Sequence, residues 1–155
     1  MLVLHKPLLS DLWFKKKLLS DPETMSYNLR YGGTIDFPES RWPSWYEAWI
    51  GCTDGSKFYS YLKDKDSGEF IGEAAYHFED GRCMADMIVL AGYRGRGYGR
   101  EGLELLLSEA KKNGIKVMYD EIDISSKAGI FLFESEGFVR VSETDNTVIF
   151  KKELT

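Results

Sequence analysis

Residues 93–102, YRGRGYGREG, set four glycines among three arginines. Such a stretch can bind an anion, because glycine leaves successive backbone N–H groups unshielded and arginine adds full positive charge. An ordinary strand-to-helix junction needs only one or two glycines, since each costs conformational entropy. Gly97, Gly99 and Gly102 also match the dinucleotide pattern G-x-G-x-x-G, with Asp120 and Glu121 about 20 residues on. The context argues against that reading. The preceding strand ends near Leu90, well before Gly97, and only one βαβ unit is visible. A P-loop is excluded because no Lys-Ser/Thr pair follows. What remains is a pyrophosphate cradle at the positive end of a helix over 98–113, with Arg94, Arg96 and Arg100 around it.

The elements that must position this cradle are legible on both sides. MLVLH reads as a short strand, and Pro7 opens a helix carrying Leu8, Leu12 and Leu19 inward. Asp21 before Pro22 caps a second short helix. YGGTIDFPES is a loop, and Ser44 caps a helix with Trp45, Ala48 and Trp49 on one face, ended by Gly51. KFYSYLKD, EFIGEAAYHF and RCMADMIVL, separated by turns at KDSG and EDG, form an antiparallel meander. After the cradle, Leu103, Leu106, Leu107 and Ala110 recur at helical spacing, and Gly114 closes the helix. IKVMYDEIDI returns as a strand. Ser125 or Ser126 caps a further helix closing at Gly137, and FVRVSET with TVIFKKE makes a final hairpin around Asp145 and Asn146. The pattern is α+β with one βαβ crossover at its middle.

Bulk properties narrow the function classes. A chain of 155 residues predicts a single domain over 1–155 with one sizeable core. Its 43% hydrophobic and 29% charged residues are the balance of a folded soluble protein rather than a disordered one. A net charge of −5 argues against a nucleic-acid binder and favours cationic partners. Cys52 and Cys83 fit neither a metal spacing nor a disulfide framework, which suits a reducing compartment and a metal-free site. No run approaches the ~18 apolar residues of a membrane span. The expected location is cytoplasmic.

VLAGYRGRGYG resembles the acyl-CoA signature of the GNAT N-acetyltransferase superfamily, Arg/Gln-x-x-Gly-x-Gly/Ala, with Arg94, Gly97 and Gly99 at its fixed positions. SSKAGIFLFESEGF is similar to that superfamily's second signature, a helix ending in Gly-Phe, here Gly137 and Phe138. The order of elements is also the superfamily's. The resemblance implies a mixed central sheet of about seven strands flanked by helices, and acetyl-CoA as co-substrate. It implies that the cradle from Arg94 through Gly95, Arg96, Gly97 and Tyr98 to Gly99 takes the pyrophosphate. Backbone groups of Met87 and Val89 would hold the pantetheine arm and the thioester carbonyl. The acceptor would be a primary amine of a small molecule or peptide. A homodimer is compatible with the resemblance.

Direct attack by a neutral amine requires a proton acceptor, because an alkyl ammonium has a pKa of about 10.4. Glu73 and Asp86 are the candidates, with His77 behind them. With strict alternation, Asp86 and Ile88 share one face of their strand and Met87 and Val89 the other, unless a bulge changes the parity. Residues 27–49 fall where the family builds its acceptor lid, and Tyr27, Tyr31 and Trp45 are its candidate lining. Two positions depart from the family. Phe133 stands where a proton-donating tyrosine is common, and Ser126 where an asparagine is common. Either the thiolate leaves unassisted or takes a proton from water, or the protein binds acyl-CoA without turning it over efficiently.

Overall fold

The computed structural model describes residues 1–155. Seven strands form one sheet in the order β1-β2-β3-β4-β5-β7-β6. They are β1 (Leu2–His5), β2 (Lys57–Asp64), β3 (Phe70–Glu79), β4 (Arg82–Val89), β5 (Val117–Asp123), β6 (Val139–Glu143) and β7 (Thr147–Glu153). Every pairing is antiparallel except β4 with β5. The helices are α1 (Leu12–Ser20), α2 (Trp42–Trp49), α3 (Tyr98–Lys112) and α4 (Lys127–Ser135), and a 3-10 segment spans Thr24–Tyr31. This is the α+β, seven-stranded mixed sheet that the sequence implied.

The helices cover both faces of the sheet. On one face α3 buries Leu103, Leu106, Leu107 and Ala110 against Leu62, Ala74 and Ala85, and α4 adds Ile130 and Phe133 against Val148 and Phe150. Each leucine taken fully out of water contributes roughly 1.5–3 kcal/mol, so the α3 stripe anchors the sheet's centre. The approach is close. A Cβ on Gly102 would lie 2.6 Å from Leu62 Cδ1 and 3.2 Å from Met87 Cε, so a side chain here would have to push the ends of both residues aside. On the other face α1 buries Phe14 and Leu18 against Tyr59, Tyr61 and Ala75, while Leu12, Leu19, Met25 and Phe37 form a second cluster beneath α2.

Three local expectations are corrected. Leu8 is exposed, and the inward residues after Pro7 are Leu12, Phe14, Leu18 and Leu19, because a 3-10 turn over Leu9–Asp11 rotates the helix that follows. Ser44 lies inside α2 rather than capping it, since the helix already starts at Trp42 with Pro43 in its first turn. Its hydroxyl donates to the Arg41 carbonyl at 3.2 Å. Ala48 faces solvent, while Trp45 and Trp49 pack inward.

Candidate active site

The site begins where a ladder stops. β4 and β5 pair only at Cys83 with Met118 and Met84 with Tyr119, and beyond that the strands part. The resulting wedge opens into a cleft of about 1060 Å³ between the sheet, the 24–49 segment, α3 and α4. β4 keeps an unbroken register with β3, so no bulge disturbs its alternation. Asp86 and Ile88 therefore face the α1–α2 side together with their partners Ala75 and Glu73, and Met87 and Val89 face α3. In this ladder the Leu90 N–H bonds the Ile71 carbonyl at 2.9 Å. Alternation then turns the backbone groups of Met87 and Val89 away from β3 and into the wedge.

The glycine stretch folds into an array of free donors. Gly95 and Gly97 adopt φ of 78° and 83°, and Gly97 is the residue that caps α3. Left-handed backbone on either side of Arg96 curls the chain into a concave turn that a branched residue could not adopt without strain. From Gly95 through Arg100 no backbone N–H bonds another protein atom. Those amides stand at the positive end of a fifteen-residue helix, where backbone donors and the helix dipole favour negative charge. Gly95, Tyr98 and Gly99 line the cleft, while Arg96 and Gly97 lie at its rim.

The arginines divide differently from the expectation that all three surround an anion. Arg94 donates to the backbone carbonyls of Glu23 at 3.2 Å and Thr24 at 2.8 Å, tying the cradle to the start of the 24–31 segment. The Ala91 N–H adds a bond to Thr24 Oγ1 at 3.0 Å. Arg100 bonds Glu136 at 2.6 Å and Ser135 at 2.9 Å on α4. Arg96 lies over the Tyr93 ring at 5.5 Å without a carboxylate partner. Only Arg96 is free to meet an incoming phosphate.

The carboxylates gather on the lid side of the wedge. Glu73 is buried, with 5% of its surface exposed, and takes both of its hydrogen bonds on Oε1, from the Lys15 ammonium at 3.1 Å and from the Tyr59 hydroxyl. Glu73 lines the cleft and Oε2 is not sealed from it. The Lys15 ammonium sits 4.8 Å from the Trp45 ring centre and 5.0 Å from that of Tyr59, so the aromatic cage already holds a cation of the protein's own. Asp86 bonds His77 Nδ1 at 2.7 Å, and His77 Nε2 lies 3.3 Å from Glu79. The bond to Asp86 raises the His77 pKa above the ordinary imidazole value. Desolvation of its hydroxyl, and then the Glu73 and Asp86 charges, push the Tyr27 pKa up, although the residue as a whole is 40% exposed.

Tyr27, Trp45 and His77 line the cleft as expected, and so do Met87, Val89 and Ser126. Tyr31 does not. It is 63% exposed and turned to solvent, because the neighbouring Arg30 reaches Asp123 at 2.8 Å and fixes the segment the other way. Phe133 is core: it packs on Phe138 at 4.8 Å and Phe150 at 6.4 Å and shows only an edge to the cleft. Ser126 precedes α4 without a side-chain capping bond. Sequence reasoning missed Lys15 and Asp120 as cleft residues. For Asp120 a signal existed, since it occupies an inward position between Met118 and Ile122 of an alternating strand.

A parted parallel pair beside a helix start rich in free amides is the arrangement that the sequence resemblance implied for an acyl-CoA site. The description "Acetyltransferase (GNAT) family" matches residues 19–138, and the chain belongs to that family. It is similar over 99% of its length to spermidine N-acetyltransferase from Vibrio cholerae, solved with CoA and spermine, at 16% identity, 95% coverage of that chain and a TM-score of 0.83. A phosphinothricin acetyltransferase from Sinorhizobium meliloti, solved with acetyl-CoA, matches 99% of the chain and 88% of its own at 16% identity and a TM-score of 0.78. An N-acetyltransferase from Staphylococcus aureus Mu50 matches 100% and 99% at 18% identity and 0.77. At these identities the likeness speaks for the fold. No curated protein sequence matches the chain. Family membership makes acetyl-CoA the co-substrate.

Proposed function

We propose that the protein transfers the acetyl group of acetyl-CoA to a primary amine of a cationic small molecule or peptide, by direct attack. The observation that carries this is the row of free amides from Gly95 to Arg100 beside the parted strands. In this reading they take the diphosphate, with Arg96 supplying charge. The Met87 and Val89 backbone groups take the pantetheine arm, and an N–H among them polarises the thioester carbonyl. The amine enters from the lid side, between Tyr27 and Trp45, and gives its proton to Asp86, which His77 orients. Glu73, neutralised by Lys15, serves through Oε2 as a hydrogen-bond acceptor for the ammonium. Polyamines head the list of acceptors to try, because a relative of this fold is a spermidine acetyltransferase.

The test is release of free thiol from acetyl-CoA with polyamines, aminoglycosides, amino acids and peptide N-termini. Amine-dependent release is expected, fastest with cations. A second reading, an acyl-CoA-binding module without turnover, draws on Phe133, which cannot protonate a leaving group. Acetyl-CoA binding with no release from any amine would select it.

A further inference from the structure

We propose that Asp120 and Asp86 form an acid–base pair across the vertex of the wedge, with Asp120 the proton donor to the departing CoA thiolate. The inference rests on the acetyl-transfer reading and supplies the donor that Phe133 cannot be.

Asp120 is the first residue of β5 beyond the last rung to β4, so it stands where the strands begin to part. Its partner on β7 is Phe150, and by alternation it shares a face of β5 with the core residues Met118 and Ile122, while itself remaining partly exposed to the cleft. Asp86 faces the opposite side, toward α1, α2 and the lid. Only in the gap can the two carboxyls face one another, and both line the cleft. The division matches the reaction. The amine arrives on the lid side, where Asp86 stands, and the thiolate must leave toward the α3 cradle, where Asp120 stands.

The chemistry of the two groups differs as acid and base must. Asp86 is half-exposed and hydrogen-bonded to His77 Nδ1 at 2.7 Å. Asp120 has no side-chain hydrogen-bond partner, and it is partly buried where it lines the cleft. Burial first, and then the Asp86 charge, push its carboxyl well above the usual carboxylate range, with a smaller push from Glu121 and a small opposing pull from the Glu121 backbone N–H. The other ionisable groups at the cleft are Tyr27 and Arg41 on the 24–49 segment, Lys15 and Glu73 as an ion pair, Tyr59 on β2, His77 on β3, Tyr93, Tyr98 and Arg94 about the glycine stretch, Glu121 and Asp123 on β5, and Lys127 at the start of α4. Two carboxyls with opposed environments are the arrangement that assigns acid and base roles.

The proton count closes. The amine nitrogen forms its bond to the thioester carbon and loses one proton to the Asp86 carboxylate. The C–S bond breaks with its electron pair on sulfur, and the Asp120 carboxyl protonates that sulfur to give the CoA thiol. Transfer of the proton from Asp86 to Asp120 across the vertex restores both groups.

Two readouts test this, one without acetyl-CoA. In protein carrying 13C at the aspartate carboxyls, the Asp120 resonance should titrate well above about 3.9, and Asp86→Asn should move its midpoint down. An ordinary midpoint, or one indifferent to Asp86→Asn, overturns the pair. With the best amine from the panel, Asp120→Asn should lower kcat by about 10²-fold, leave the KM for acetyl-CoA within about twofold, and remove the alkaline fall of kcat. Asp120→Glu should recover part of the rate. Wild-type kcat and an unchanged alkaline limb in Asp120→Asn would overturn the donor role. If wild type releases no thiol with any amine, the reaction and its donor fall together, and the carboxyl titration alone decides whether the pair shares a proton.

Discussion

Lys15→Met should cost the protein about 3 kcal/mol, and the reason lies in Glu73. The two charges are 3.1 Å apart with side chains 10% and 7% exposed. At an effective dielectric of about 20 their attraction is about 5 kcal/mol, and breaking such a pair from one side typically costs about 3–5 kcal/mol because the other charge stays buried. The lower end applies here, since the Tyr59 hydroxyl still donates to Glu73 and methionine still fills the cage of Trp45, Tyr59 and Phe37. In a domain of this size that loss lowers Tm by about 6–12 °C. The assay is urea unfolding of wild type, Lys15→Met, Glu73→Gln and the double variant. Removing both charges should recover about 2 kcal/mol relative to the sum of the singles. A cost for Lys15→Met under about 1 kcal/mol, with the two changes additive, would match an exposed pair and refute the argument.

Gly97→Val should abolish CoA binding by calorimetry while the fold persists, because valine at φ of 83° must leave the left-handed region and drag the cradle amides with it; wild-type affinity in a folded variant would remove the cradle. His77 is raised by its bond to Asp86, so its contribution to stability is full below about 6.5 and is lost as pH rises through the higher folded value; the decline in Tm across that window should flatten in His77→Gln. Phe133→Tyr should destabilise by about 1–3 kcal/mol in thermal unfolding, since it puts a hydroxyl among Phe138 and Phe150. An unchanged Tm would mean that the hydroxyl reaches the cleft instead.

What the sequence disclosed follows the range of the interactions. The strands of the meander were legible because glycine turns at 68 and 81 bound them, and both glycines take positive φ. The α3 stripe was legible because its period is local. Leu8 was misplaced because one 3-10 turn before α1 shifts the inward face, and no local pattern announces it. The arginines were assigned to an anion because their charges are visible in the sequence and their partners are not. Arg94 bonds carbonyls about seventy positions upstream, and Arg100 bonds a glutamate thirty-six positions on. The significance of Asp120 lay furthest from view. Alternation with Met118 and Ile122 gave its face, but an acidic residue in a strand reads as exposed, and the parting of β4 from β5 is what sets this one in the cleft.

Arg94 joins two things that would otherwise be separate: its own chain continues into the free amides of the cradle, and its guanidinium holds the first carbonyls of the lid. The guanidinium thus ties the two stretches together, beside the Ala91 N–H bond to Thr24 Oγ1. Reciprocity follows from that connection. Whatever factor a bound diphosphate applies to the lid's affinity for an amine, the amine must apply to the affinity for the diphosphate. In the proposed reaction, a substitution at Glu23 or Thr24 that loosens those carbonyls would therefore change donor and acceptor affinities together.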